Sequence, residues 1–234
     1  MRLNKFISQS GYCSRRKADE LIKAGKIQLN NEICQELGKN IDPKNDQIFI
    51  NGKSLKPPQN FTYLLLNKPT GYTTTRSDPH AEKTIYSLIP SKFHHLHPVG
   101  RLDKESEGLL LLTDDGDFTY QMTHPKHDNE KTYEIKVKGT PSVEQLNYLE
   151  KGITITEEIK GEKIQYQTLP CKIISHYSKK STLLITLHEG RKRQIRKMLQ
   201  KIGHPVVYLK RISIGKYHLK NLKIGEWEIV KKLS

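Results

Sequence analysis

Apolar residues fall in short periodic runs along nearly the whole chain, and their spacing alternates between helical and strand-like. Leu3, Phe6 and Ile7 share one helical face that Gly11 ends. Ser14 is placed to cap a second helix, with Ala18, Leu21 and Ile22 on its buried stripe and Gly25 closing it. Strands are predicted over 26–30 and 47–51, each followed by a turn dipeptide, Asn30-Asn31 and Asn51-Gly52. The proline pair in Lys56-Pro57-Pro58-Gln59-Asn60 suits a stiff extended spacer that continues neither neighbouring element. Beyond it, a strand over 63–67 ends in the turn Lys68-Pro69-Thr70-Gly71. A loop over 97–108 leads into the apolar run Leu109 to Leu112, which Asp114-Asp115-Gly116 closes.

The pattern then predicts a short helix from Asp117 through Met122 and an alternating strand over 131–138. Thr140-Pro141 opens a helix carrying Val143, Leu146 and Leu149. Residues 169–188 read as a hairpin with Ser178-Lys179-Lys180 at its tip. The best-defined helix is predicted over 191–202, where Ile195, Met198, Leu199 and Ile202 recur at helical spacing before Gly203. Strands follow from 206–209 onward to Trp227. Strand runs outnumber helices and hairpins are common. The expectation is an α+β protein: a small N-terminal α/β domain over 1–55, a linker at 56–60, and a larger domain over 61–234 built on a mixed, mostly antiparallel sheet.

Composition adds a partner. Forty Lys and Arg against 25 Asp and Glu give the 234-residue chain a formal charge of +15. A field of that sign favours a polyanion. Cys13, Cys34 and Cys171 are far apart with no CxxC spacing, which fits neither a disulfide framework nor a zinc site. No apolar run approaches the ~18 residues of a membrane span, and the polar N-terminus does not resemble a signal peptide. Cytoplasm is the expected compartment. His94, His95 and His97 lack the cysteine or carboxylate spacing of a metal site, and neither a Walker loop nor a dinucleotide fingerprint is present. No cofactor is expected, which favours an isomerisation or transfer performed by side chains alone.

Three places break local rules. Arg15, Arg16 and Lys17 occupy a helix start, where the macrodipole disfavours cations and a phosphate is welcome. Asp103 in the triplet Arg101-Leu102-Asp103 is an acid at the lip of a buried strand in a basic molecule, so it needs a cationic partner. Within the charge run Arg191, Lys192, Arg193, Arg196 and Lys197, Arg196 lies nearest the buried stripe. It can fork onto Asp103 and keep it ionised. Tyr133 on its predicted strand ordinarily means core packing; in an RNA-modifying site it stacks on a base with its hydroxyl free for proton traffic.

GRLDKESEGLLLLT (100–113), NKPTGY (67–72), KTYEIKVKG (131–139) and EGRKRQIRKM (189–198) together resemble the bacterial ribosomal RNA pseudouridine synthases. The first 55 residues resemble the alpha-L RNA-binding motif that these enzymes carry. The resemblance covers almost the whole chain, in order. It implies that Asp103 is the catalytic aspartate, Arg196 its partner, Ile195 the apolar residue beside the base, and Tyr133 the tyrosine against the uracil. Arg101 matches a residue that enters the space left by the everted nucleotide. Arg191 and Arg193, with Arg15, Arg16 and Lys17, would contact phosphates. Ser106 and Lys192 depart from the common Thr and Asn. The implied partner is ribosomal RNA or a pre-ribosomal particle, with no membrane and no nucleotide cofactor, and a monomer is expected. The 124–139 and 189–198 segments look closer to large-subunit enzymes. Small-subunit RNA is the alternative within the class, and a non-catalytic ribosome-assembly factor the alternative outside it.

Overall fold

The computed structural model describes all residues except 57–59, 77–81, 160, 176–180 and 234. The central linker prolines and the predicted hairpin tip at 178–180 therefore lie outside the described residues. The chain divides into two units, Met1–Thr62 with Asp114–Gly116, and Tyr63–Thr113 with Asp117–Ser234.

In the first unit α1 (Leu3–Gln9) and α2 (Arg15–Lys23) pack over a four-stranded sheet of β1 (Ile27–Leu29), β2 (Glu32–Ile33), β3 (Ile48–Ile50) and β4 (Lys53–Leu55), in the order β2-β1-β3-β4. The expected helical stripes are the core: Leu3, Phe6, Ile7, Ala18 and Ile22 meet Ile27, Ile48 and Ile50. Asn30, Asn31 and Asn51 take positive φ at the turns, as their residue type permits. The periodicity missed β2 and β4, edge strands too short and too exposed to alternate visibly.

The second unit is built on a nine-stranded sheet. Its main path runs β11-β12-β8-β13-β7-β5-β15, with β6 paired to β7 and β14 to β13. In chain order these are β5 (Tyr63–Lys68), β6 (His97–Pro98), β7 (Glu107–Thr113), β8 (Lys131–Val137), β11 (Lys172–Ser175), β12 (Thr182–Leu187), β13 (Val206–Ile214), β14 (Tyr217–His218) and β15 (Trp227–Val230). The two-stranded hairpin β9 (Thr154–Ile159) and β10 (Glu162–Gln167) stands apart from that sheet. The remaining α-helices among the described residues are α3 (Gly116–Thr123), α4 (Val143–Glu150) and α5 (Gln194–Lys201). Among the described residues, every pairing between these strands is antiparallel except β7 with β13. β5 and β7 are buried at every residue, which explains why they read as continuous apolar runs rather than alternating ones. One core lies on each face of these strands: Leu64, Leu66, Leu110 and Leu112 on one side, Tyr63, Leu65, Leu109 and Leu111 on the other. No helix of the described residues is long and apolar enough to cross a membrane.

Two helix starts differ from expectation by more than one residue. α4 is capped by Ser142, whose hydroxyl accepts from the Gln145 N–H while the Gln145 side chain accepts from the Ser142 N–H, a reciprocal box one step beyond Thr140-Pro141. α5 begins at Gln194 rather than 191, because Arg193 sits in the left-handed region at φ 55° and interrupts the helical path. Arg191, Lys192 and Arg193 therefore belong to a loop and not to a helical face.

Candidate active site

The Asp103 loop is held from below and from the side. Gly108 carries φ +109°, and a Cβ there would overlap the Arg211 carbonyl, so only glycine lets β7 and β13 approach at this point. Thr74 Oγ1 donates to the Leu102 carbonyl at 2.7 Å and accepts from the Leu102 N–H at 3.3 Å. Gly71 N–H donates to the Lys104 carbonyl at 2.7 Å. Beneath the loop lies Lys68, wholly buried, its ammonium donating to the carbonyls of Pro69 (3.0 Å), Asp103 (3.1 Å) and Ser106 (2.8 Å). Burial pushes the Lys68 ammonium down to about 8, against the opposing pull of Asp103 and Glu105. The lysine uses all three of its donors on backbone and so fixes the direction in which the Asp103 side chain leaves the loop.

That side chain faces a cleft of about 1270 Å³. The cleft is lined by Asp103, Arg101, Tyr133, Arg191, Arg193, Ile195 and Arg196, all seven residues that sequence reasoning placed at the catalytic and substrate positions. Tyr133 reaches it from β8 and Ile195 from the first turn of α5, both buried. Arg101 stands exposed at the rim.

The expected fork between Arg196 and Asp103 is not closed. Among the described residues no ion pair joins them; Arg196 Nη2 donates instead to the Glu105 carbonyl at 3.0 Å, and Nε is buried without a partner. The reason lies in Glu105. Its carboxylate pairs with Arg193 at 2.7 Å, and its carbonyl takes the Arg196 Nη2 that was expected on Asp103. Burial pushes the Glu105 carboxyl up, but its own N–H and the Arg193 guanidinium outweigh this and hold it below the usual carboxylate range. Burial and the neighbouring Arg193 lower the affinity of Arg196 for its proton, while Asp103 and Glu105 act in the opposite sense. Asp103 and Arg196 thus interact through the cleft by their fields, with one guanidinium edge uncommitted.

The basic loop before α5 has its own scaffold. Gln194, 3% exposed, donates to Glu189 at 2.6 Å and accepts from the Arg191 N–H at 3.1 Å. The Arg191 guanidinium lies over the Tyr166 ring at 4.1 Å, a contact made possible by the unpredicted β9–β10 hairpin. Sequence reasoning missed Lys68 and Glu105. The only hint of Lys68 was a lysine ending a fully apolar strand; Glu105 looked like one more loop acid.

In the first unit, the Ser14 hydroxyl accepts from the Lys17 N–H at 3.3 Å and caps α2 as its sequence suggested. Arg15, Arg16 and Lys17 are exposed; Lys17 is paired with Glu20 at 2.8 Å, whereas among the described residues Arg15 and Arg16 have no ion pair.

A cleft whose charged lining is mostly Arg and Lys, with Asp103 and Tyr133 facing it, suits a polyanionic substrate. The family described as RNA pseudouridylate synthase matches residues 62–201, and the S4 domain matches residues 1–48. The ribosomal large subunit pseudouridine synthase B of Bacillus subtilis (strain 168) is 40% identical over 229 residues, covering 96% of this chain and 90% of that protein. An uncharacterized RNA pseudouridine synthase of Aquifex aeolicus (strain VF5) is 39% identical, covering 97% and 89%. A crystal structure of a pseudouridylate synthase superposes with a TM-score of 0.69 at 30% identity, over 99% of this chain and 96% of that one. The chain belongs to the RNA pseudouridylate synthase family and carries an S4 domain at its N-terminal end.

Proposed function

We propose that the protein converts one uridine of large-subunit ribosomal RNA to pseudouridine, with Asp103, Tyr133 and Arg196 as its catalytic residues. The observation that carries the reading is the Asp103 carboxylate, which lines a basic cleft and has no ion pair among the described residues, on a loop whose backbone a buried lysine holds. The likeness to the Bacillus large-subunit enzyme over nearly the whole chain supports the choice of RNA.

In this reading the target nucleotide leaves its stack, at a cost of roughly a few kcal/mol, and enters the cleft between Ile195 and Tyr133. Arg101 takes the vacated space. Arg191 and Arg193, with Arg15, Arg16 and Lys17, hold phosphates and give affinity more than base choice. Attack on C1′ and removal of the C2′ proton both begin from an ionised carboxylate, and Asp103 supplies it. The N1–C1′ bond breaks, the base turns, and C5 bonds to C1′. The C5 proton then leaves with help from the Tyr133 hydroxyl. The protein acts as a cytoplasmic monomer without a cofactor, its RNA-binding domain ending at 55 and its catalytic domain beginning at 61.

Purified protein incubated with unmodified large- and small-subunit RNA tests this by carbodiimide mapping. One new pseudouridine in the large-subunit RNA is expected. A product in small-subunit RNA alone overturns the choice of substrate, and no product in either overturns the activity.

A further inference from the structure

Arg211 lies on β13 with 3% of its surface exposed, and it lines the floor of the same cleft. Its Nε donates to the Leu109 carbonyl at 2.8 Å, which fixes the guanidinium plane. Its Nη2 is buried without a hydrogen-bond partner, and among the described residues no carboxylate pairs with it. Its surroundings make this worse, since Lys68 and Lys131 are both close enough for Arg211 to disfavour their charged forms. A buried donor left without an acceptor is costly, and Nη2 is such a donor.

The position of Arg211 says what would relieve it. It is paired across the sheet with Tyr133 on one side and with Gly108, behind the Asp103 loop, on the other. Arg211 thus stands between the residue that would face the base and the strand that follows the Asp103 loop. Arg196 gives Nη2 to the Glu105 carbonyl, and Lys68 gives its ammonium to three carbonyls. Arg211 keeps donors unspent.

We propose that Arg211 is a further catalytic residue, neutralising the charge that gathers on the uracil carbonyl oxygens when the N1–C1′ bond breaks. This rests on the pseudouridine synthase reading. Both electrons of the broken bond stay with the base and spread over N1, O2 and O4. A preorganised donor facing this anion stabilises it as it forms. When C5 bonds to C1′ and its proton departs, the negative charge is consumed and the guanidinium releases the base.

The test compares parent, Arg211→Gln and Arg211→Lys in single-turnover reactions on RNA carrying uridine or 5-fluorouridine at the target. Substrate loss is read by nucleoside mass spectrometry after digestion. Fluorine makes the detached base a weaker base, so it needs less stabilisation. Arg211→Gln is expected to slow the uridine reaction by ~10²–10³-fold, the scale for losing one such donor. Its affinity for RNA should be unchanged and its deficit clearly smaller with 5-fluorouridine. Arg211→Lys, which retains the charge, is expected to recover much of the rate. Equal deficits on the two bases, or a loss of RNA affinity that accounts for the rate, overturn the proposal. Should Arg211→Gln fail to fold, the same two-base comparison on Arg211→Lys decides it by the same criterion. A parent enzyme that consumes neither substrate overturns the synthase reading itself.

Discussion

Replacing Lys68 by Met removes a buried ammonium while nearly keeping its shape, and two opposing terms set the result. Three charge-assisted hydrogen bonds to the carbonyls of Pro69, Asp103 and Ser106 are lost, at roughly 1.5–3 kcal/mol each. Against this, a lysine pushed from 10.5 down to about 8 carries a burial cost of roughly 3 kcal/mol, which the methionine does not. The hydrogen bonds win, and Lys68→Met should destabilise the second unit by about 2–6 kcal/mol at neutral pH. Between pH about 8 and 10.5 the native ammonium is increasingly neutral while an unfolded lysine still holds its proton. The unfolded chain then binds more protons, so this group adds stability as pH rises, and the gap between parent and Lys68→Met widens across that window. Urea unfolding of both proteins at pH 7 and pH 9.5, with equal m values, measures it. A gap that is absent at pH 7, or that shrinks towards pH 9.5, would refute the reasoning that the lysine organises the loop from a buried, reluctant charge.

Other consequences can be measured directly. Gly108→Ala forces a side chain onto the Arg211 carbonyl at φ +109°, and should cost about 3 kcal/mol or more in thermal or urea unfolding. Arg15→Ala combined with Arg16→Ala removes two exposed cations, and should lower the slope of log affinity against log salt by roughly 1.4–1.8 in filter binding to ribosomal RNA. Tyr133→Phe should leave RNA affinity intact and slow tritium release from C5 by ~10²-fold, the low end for a lost proton-transfer group.

Much of the architecture could be read from the residues because the strands that matter are buried on both faces. Tyr63–Lys68 and Glu107–Thr113 are apolar through most of their length, and the helical stripes of the first unit have no competing reading. The β9–β10 hairpin escaped because β10 is exposed at all but one residue and both strands carry charges where an interior strand would not. Helix α5 was drawn three residues too long at its start, since nothing in an Arg-Lys-Arg run reveals a left-handed residue. The site residues themselves were legible as types: an acid at a strand lip, an arginine beside an apolar stripe. Their bonding was not. Lys68 and Glu105 act on backbone carbonyls and on Arg193, and such contacts appear only when distant loops are folded together. The same competition for carbonyls diverted Arg196 from the carboxylate it was expected to grip.

Asp103→Asn is the most direct trial, because it exchanges one oxygen for nitrogen and leaves the Lys68 cage, which binds only the backbone at this residue, untouched. Carbodiimide mapping of large-subunit RNA after incubation with this variant should show no pseudouridine, while RNA affinity stays at the parental value. Pseudouridine formed at a rate comparable to the parent would contradict the account.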